Sequence, residues 1–559
     1  MLKAQNCIKQ DGIALLIFAA LSGYWTVLSW PQGIVQLNSD QQNILLMVLK
    51  EIRPELYQTD SLFSNPELFA FYTPFFRTYL AKIASWTGDL AVGYKLLVFP
   101  LNLIFLLGAY NFFRYLFKQR ALALLLAFFS SLPFAIPGVA EYAGIGPVSL
   151  MMPRAVFMAF FPWLLWGFYR YTNDWQRLML VFFGVGLAAN FHPVSGYLLA
   201  EIFGLTLLFQ QRFSRSAFLG AIGGGLAAMV GALPTFWQYM FHTTQMQTEK
   251  LPSETLNAIL EWRFPHNLYP PLNLAQIPEP VIHVLTALLG VGCLGCLVAP
   301  ATIRTKLIWV QTLAILTYLL FPEALYYLIF LIFFFIMWFP RLSLTPDLER
   351  TGYLVGAMFC VAILLTTVLQ DFGLKEVFPG LAAIQTRAAR FSPFFLFILA
   401  GYTIITLISM SNWSIRKVLC LSLLLVALVM HLRLTFRSYI HHRPRPAQAA
   451  LVDLAYWAKA HTPQDAVFLF DSLTFRLLAE RAITGCGKDG GIWFFAPRGL
   501  GDWYKHMQEL AAVDHDPHRL QELAVRHGAD YFVVQRGPDE FVAEFPVAYQ
   551  NDFYYLIRR

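Results

Sequence analysis

Apolar segments separated by polar connections recur along the first 435 residues. About 13 of them approach the roughly 20 residues that a helix needs to cross a bilayer's hydrocarbon. They cover approximately 12–30, 91–113, 121–137, 153–169, 177–191, 194–210, 216–233, 281–299, 306–321, 323–339, 351–369, 391–410 and 416–435. Longer polar connections lie at 31–90, 234–280 and 370–390. In the first, YTPFFRTYLAKIASW (residues 72–86) is aromatic and amphipathic, which predicts a helix lying at headgroup depth. In the second, the Pro and aromatic content of LPSETLNAILEWRFPHNLYPPLNL predicts a partly ordered loop against the membrane.

The pattern changes after HHRPRP, residues 441–446. AQAALVDLAYWAKAH has helical periodicity and a Pro stop, AVFLFD (466–471) reads as a strand, and SLTFRLLAERA as a helix. HRLQELAVRHG reads as another helix, and YFVVQR and FYYLIRR as strands. This alternation predicts a small α/β domain at 440–559, following a polytopic membrane domain at 1–439.

Composition agrees. The chain is 57% hydrophobic and 13% charged, where soluble domains carry roughly a quarter charged residues. A wholly soluble enzyme and a disordered chain are both excluded. The net charge of +7 is not that of a nucleic-acid binder, because residues 440–559 hold 13 Lys/Arg against 15 Asp/Glu and the excess lies between apolar segments. With the N-terminus cytoplasmic, 15 Lys/Arg (among them Lys3, Lys9, Arg114, Arg120, Arg350 and Lys417) face 4 acidic residues on the cytoplasmic side. The positive-inside rule therefore predicts an external C-terminal domain. The first apolar run lacks a small-residue cleavage site and reads as a retained anchor. Six cysteines form no disulfide framework, and Cys293 and Cys296 read as small packing residues.

The same orientation gathers ionisable residues at the external mouth: Asp40, Asp60, Glu141, Arg154, His192, His266, Asp371, Glu376, Arg387 and Arg390. Asp40, in IVQLNSDQQNILLMVLKEI just after the first span, can accept a proton from a hydroxyl, or can cap the helix that follows. Glu141, with Asp60 as a further acid, can orient an acceptor or ligate a divalent ion; no metal ligand set is assigned, and metal-free chemistry fits equally. Arg387 and Arg390, with Arg154, suit a lipid phosphate, because a guanidinium donates to two oxygens at once; anchoring to ordinary membrane lipid is the plainer use. His192 and His266 serve as acceptor-binding or structural residues. In the external domain, Asp471 follows a strand and can be catalytic or, more plainly, cap the helix that follows. CGKDGG (486–491) lacks P-loop spacing, so Lys488 belongs to a surface turn or touches phosphate. Trp493, Phe494, Phe495, Trp503 and Tyr504 are suited to docking the domain on the membrane part.

The order of elements resembles the GT-C superfamily of polytopic membrane glycosyltransferases, which includes protein mannosyltransferase-like and aminoarabinose transferase-like proteins. The resemblance is carried by the many spans, the acidic first external connection and the external C-terminal domain. PELYQTDSLF (54–63) and the His192–Pro193 pair look like features of a diverged bacterial branch. It implies that Asp40 participates in catalysis, that a polyprenyl-phosphate or polyprenyl-diphosphate sugar is the donor, and that transfer inverts the anomeric centre. A WWDYG-type acceptor motif is absent, so a peptide acceptor is not implied. The acceptor would be an envelope glycan, lipid or protein. A lipid or polysaccharide translocator and a noncatalytic envelope-assembly protein are the competing readings.

The predicted orientation has a direct check. A single cysteine introduced near residue 175 should resist an impermeant maleimide in intact cells, whereas one near residue 520 should react once the outer envelope is permeabilised. The opposite pattern would invert the topology.

Overall fold

The computed structural model describes residues 2–136, 141–245, 251–263, 346–361, 386–391, 393–395, 397–398, 401–402, 405, 446–493, 499–513, 516–536 and 544–559. The expected spans at 281–299, 306–321, 323–339 and 416–435, residues 362–369 of the span at 351–369, more than half of the span at 391–410, and His266, Asp371, Glu376, Cys293 and Cys296 lie outside the described residues.

Helices dominate. Among the described residues, Asp11–Ser29 within α1 (Leu2–Ser29), α4 (Val92–Phe117) and α8 (Pro193–Gln210) are long and apolar enough to cross a membrane. A fourth crossing would be broken: α9 (Arg215–Gly231), which covers nearly all of the expected 216–233 span, meets α10 (Leu233–Gln245) at 74°. Pro234 enters at the second position of α10, where a missing N–H costs nothing but the preceding helix cannot continue. α5 (Arg120–Ser131) and α7 (Trp175–Ala189) are apolar but have 12 and 15 residues. α6 (Pro153–Tyr171) contains Pro162. The expected 121–137 span stops at Ser131 because Pro133 and an antiparallel ribbon follow, β1 (Phe134–Ile136) with β2 (Glu141–Ala143). Gly144 and Gly146 leave that ribbon at φ of 77° and 91°, conformations open to glycine, and the Asn102 side chain holds the Gly146 backbone at both N (3.0 Å) and O (2.9 Å).

The bundle separates two polar ends. At one, Arg114 at the end of α4 pairs with Asp11 at 2.7 Å, and Arg350 of α12 (Pro346–Phe359) donates to the Tyr169 carbonyl at 2.6 Å. At the other, α2 (Ser39–Ile52) and α3 (Pro74–Thr87) fill the first long connection. A reciprocal capping box starts α2: Asn38 Oδ1 accepts from Gln41 N at 2.9 Å, and Gln41 Oε1 accepts from Asn38 N at 3.0 Å. Gln41 Nε2 also donates to the Val148 carbonyl at 2.7 Å, which fastens α2 to the start of α6. α3 realises the expected amphipathic helix: Arg77 is buried against Glu51 at 2.9 Å, while Trp86 is 82% exposed on the outer face.

The C-terminal domain is α/β as expected. It comprises α13 (Pro446–His461), β3 (Val467–Leu469), α14 (Leu473–Ala479), β4 (Ala482–Ile483), α15 (Leu500–Ala512), α16 (Pro517–Arg526), β5 (Tyr531–Gln535), β6 (Val547–Gln550) and β7 (Tyr554–Arg558). The sheet order is β4-β3-β5-β7-β6, with β4, β3 and β5 parallel and β7 antiparallel to both its neighbours. Phe468 opposite Tyr531, stacked at 5.0 Å, and Phe532 opposite Ile557 fix the register of its buried faces.

This domain is docked on the α2–α3 connection by a buried ion cluster. Arg476 of α14, with no side-chain exposure, donates to both oxygens of Asp489 at 2.8 and 2.9 Å, and its Nε lies 3.1 Å from Asp60 Oδ2. Tyr57 OH donates to the Arg476 carbonyl at 3.0 Å, and Thr474 donates to Gln42 at 2.8 Å. Desolvation opposes the Arg476 charge, but Asp489 and Asp60 outweigh it and hold its pKa above the ordinary arginine value. Removing one partner of such a cluster strands the other charges in a dry interior. Arg476→Met should therefore destabilise the docked domain by about 3–5 kcal/mol, read as a lower thermal midpoint and faster proteolysis near residue 445. Arg53→Gln removes only a partly exposed contact to Glu480 and serves as the comparison. Equal midpoints for the two variants would refute the docking account.

Candidate functional site

The site lies where the polar end of the bundle meets the C-terminal domain. Asp40 occupies the second position of α2, and because Asn38 does the capping, its carboxylate is released from that task. The helix N-terminus favours an anion there. Its side chain is 47% exposed, and Lys488 Nζ reaches Oδ1 at 2.5 Å.

Lys488 arrives on the CGKDGG turn, whose conformation is fixed from both sides. Asp471 Oδ1 accepts from Gly487 N at 3.0 Å, and Asp489 Oδ2 accepts from Cys486 N at 3.0 Å. Asp489 is the same residue that Arg476 grips, so the buried cluster places Lys488 one residue away. Asp471 is thus not the helix cap. Ser472 caps α14 by accepting from Phe475 N, and Asp471 holds the turn instead. Trp503 Nε1 donates to the Cys486 carbonyl at 2.9 Å, and Trp262 meets both Trp503 (5.6 Å) and Tyr504 (5.9 Å). That docking places α11 (Ser253–Arg263) beside the turn. Phe494 and Phe495 lie outside the described residues.

Basic residues from separate parts of the chain converge on Asp40. Surrounding protein pushes its carboxyl pKa up by desolvation, but Lys488, Arg154 and Arg387 together outweigh this and hold it below the usual carboxylate range. Arg154 sits at the second position of α6, and Arg387 on the 3-10 turn Thr386–Phe391. Two further residues escaped the sequence reading. Arg263, ending α11, is lowered by burial and supported by Asp40. Tyr72 is raised by burial and by Asp40, with Arg387 opposing. Thr73, directly after Tyr72, is held at φ of 43°, a left-handed conformation that a non-glycine residue adopts only when its surroundings enforce it.

The remaining expected residues are placed elsewhere or differently. Asp60 is not part of this constellation: with no side-chain exposure, its Oδ1 accepts from Leu62 N and Phe63 N of its own connection, each at 3.0 Å, and Oδ2 meets Arg476 and Ile483 N of the C-terminal domain. Arg390 parts from Arg387. It is buried, and its Nη1 donates to Ser195 Oγ at 2.5 Å and lies 3.3 Å from His192 Nδ1. His192 caps α8 by accepting from Ser195 N at 3.1 Å, while remaining in the field of Arg154 and Arg387. These contacts fasten the 3-10 turn to α8. Glu141 lies in β2 opposite Ile136, and β2 runs beside that turn. What the arrangement can do chemically is hold an anion: basic side chains from α6, the 3-10 turn, α11 and the C-terminal domain act on one ionised carboxylate.

Residues 449–510 match a family described as Domain of unknown function (DUF6798). The matched segment runs from α13 through α15 and so contains Arg476, Lys488 and Asp489, but not β5–β7. No curated protein matches the chain.

The electrostatics predict a pH response. Because the Asp40 carboxyl is depressed, its pairing with Lys488 persists at neutral pH and is lost only as pH falls through that depressed value. Carbodiimide labelling of Asp40, followed by peptide mass spectrometry, should rise in the wild type only at a pH below the range in which ordinary carboxylates protonate. In Lys488→Gln the rise should come at higher pH. Coincident profiles would show that Lys488 does not set the ionisation of Asp40.

Proposed function

We propose that the chain is a GT-C-like membrane glycosyltransferase that moves a sugar from a polyprenyl-phosphate or polyprenyl-diphosphate donor to an envelope acceptor at the external face of the inner membrane. The observation that carries the reading is the convergence of Arg154, Arg387 and Lys488 on Asp40 at the membrane-side mouth of the external domain. A lipid-linked phosphate carries its charge at this depth, and a guanidinium pair matches its oxygens. An ionised carboxylate among those cations supplies what the incoming hydroxyl needs.

In the proposed step, the acceptor hydroxyl gives its proton to Asp40 while its oxygen bonds to the anomeric carbon from the face opposite the phosphate. The bond from that carbon to the phosphate oxygen breaks, and its electron pair goes to the leaving phosphate. Arg154 and Arg387 meet the developing charge, joined by Lys488 as it exchanges Asp40 for the donor. The apolar helices align the lipid tail, which lowers the entropy of bringing the two substrates together. Arg390, bound to Ser195 and His192, positions the turn that carries Arg387. Glu141, on the strand beside that turn, is the second carboxylate available for orienting an acceptor.

Asn at position 40 preserves size and hydrogen bonding but removes the proton acceptor. Asp40→Asn should insert normally, bind donor lipid nearly as well as wild type, and turn over roughly 100-fold or more slowly. The check is transfer by purified protein, with donor binding followed separately. Full activity in the Asn variant would exclude Asp40 as the base. Absence of transfer by wild type across a broad donor and acceptor panel would favour the noncatalytic assembly role.

A further inference from the structure

Away from Asp40, one side of the C-terminal domain gathers two histidines and a glutamate with no task in the proposed transfer. His506 and Glu509 are three residues apart on α15 and so share a face. His527, at the C-terminal cap of α16, completes the group. His506 Nδ1 is 3.1 Å from His527 Nε2, which is in turn 3.0 Å from Glu509 Oε2. The three atoms all lie within 4.8 Å of one another.

We propose that His506, Glu509 and His527 form a binding site for a zinc-type transition-metal dication, with the fourth position open to water. Four ligands at zinc's bond lengths of about 2.0–2.1 Å sit about 3.3–3.4 Å apart around a tetrahedron, so the two short edges need to open by only a few tenths of an ångström, roughly. The donor set also argues for this ion class: two imidazoles with one carboxylate suit zinc, whereas magnesium and calcium take oxygen ligands. The surroundings preorganise the ligands. His506 Nε2 is 3.0 Å from Thr484 Oγ1, and donation there leaves the Nδ1 lone pair facing the site. Glu509 commits Oε1 to Arg526 at 3.2 Å, which leaves Oε2 toward His527. Burial and the neighbouring His527 push the His506 imidazole down to about 4, so it stays neutral at physiological pH. His506 is buried, while Glu509 and His527 keep 23% and 26% side-chain exposure, giving an ion a way in and a place for a water ligand. Thr484 stands two residues before Cys486, so a bound ion would brace α15 and α16 behind the turn that carries Lys488.

The rival arrangement is a metal-free network in which one His527 proton is shared between Glu509 and His506. Zinc titration of the chelator-stripped full-length protein in detergent, against a chromophoric chelator, separates the two without any transferase assay. The expected result is one tight equivalent in the wild type, its loss in both His527→Gln and Glu509→Gln with unchanged circular dichroism, and about 10–100-fold weaker binding in Thr484→Val. Cobalt in place of zinc should give the absorption of a four-coordinate site. No tight equivalent in the wild type, or one that survives both His527→Gln and Glu509→Gln, would overturn the proposal.

Discussion

The grip of Arg476 on Asp489 and Asp60 is the interaction on which the rest of this structure depends. Burying a guanidinium is costly, and a buried ion pair gains only when its hydrogen-bonding geometry is nearly complete. In this cluster Arg476 is bidentate to Asp489, and Asp60 accepts from two neighbouring amides and from Ile483 of the C-terminal domain. Such a cluster tolerates one relative position of its parts. It therefore acts less as a source of stability than as a register mark, fixing where the C-terminal domain sits on the first connection. Because Lys488 is bonded in sequence to Asp489, that mark also determines what reaches Asp40.

The site is consequently a product of docking. Asp40 belongs to a helix just after the first apolar helix, Arg154 to the start of α6, Arg387 to a short turn held by Arg390 against Ser195 and His192, and Lys488 to the C-terminal domain. None of these elements alone makes an anion site. Together they concentrate positive charge around a carboxylate kept ionised in their midst. A protein whose C-terminal domain carries one of the cations can couple substrate capture to the placement of that domain.

Much of this was legible from sequence because it rests on local periodicity. The first span, the amphipathic helix before α4, α13, β3, β5 and β7 all follow from hydrophobic spacing and Pro or Gly stops. Asp40, Arg154 and Arg387 were found as polar residues following or preceding apolar runs. The failures share a different cause. Arg263 and Tyr72 carry no local mark of their role, since Asp40 lies far from Arg263 in sequence and Tyr72 reads equally well as an interfacial aromatic. Asp60 looked like a second acid because its partner Arg476 is some four hundred residues away. Asp471 and Ser472 are both good capping types, and only the turn at Gly487 decides between them. β4 has two residues, too few for any alternation to show. α15 does repeat Leu500, Trp503 and Met507 at helical spacing, but its aromatics read as a docking surface, which they also are.

The central claim, that the basic residues around Asp40 hold a phosphorylated polyprenyl lipid, is tested most directly by mass spectrometry of the lipid that accompanies the purified protein. Wild type should retain a phosphorylated polyprenyl species beyond the bulk phospholipids, and the Arg154→Gln, Arg387→Gln double variant should lose it while keeping those phospholipids. Retention of the same lipids by both proteins, bulk phospholipid alone or polyprenyl species undiminished, would contradict the account.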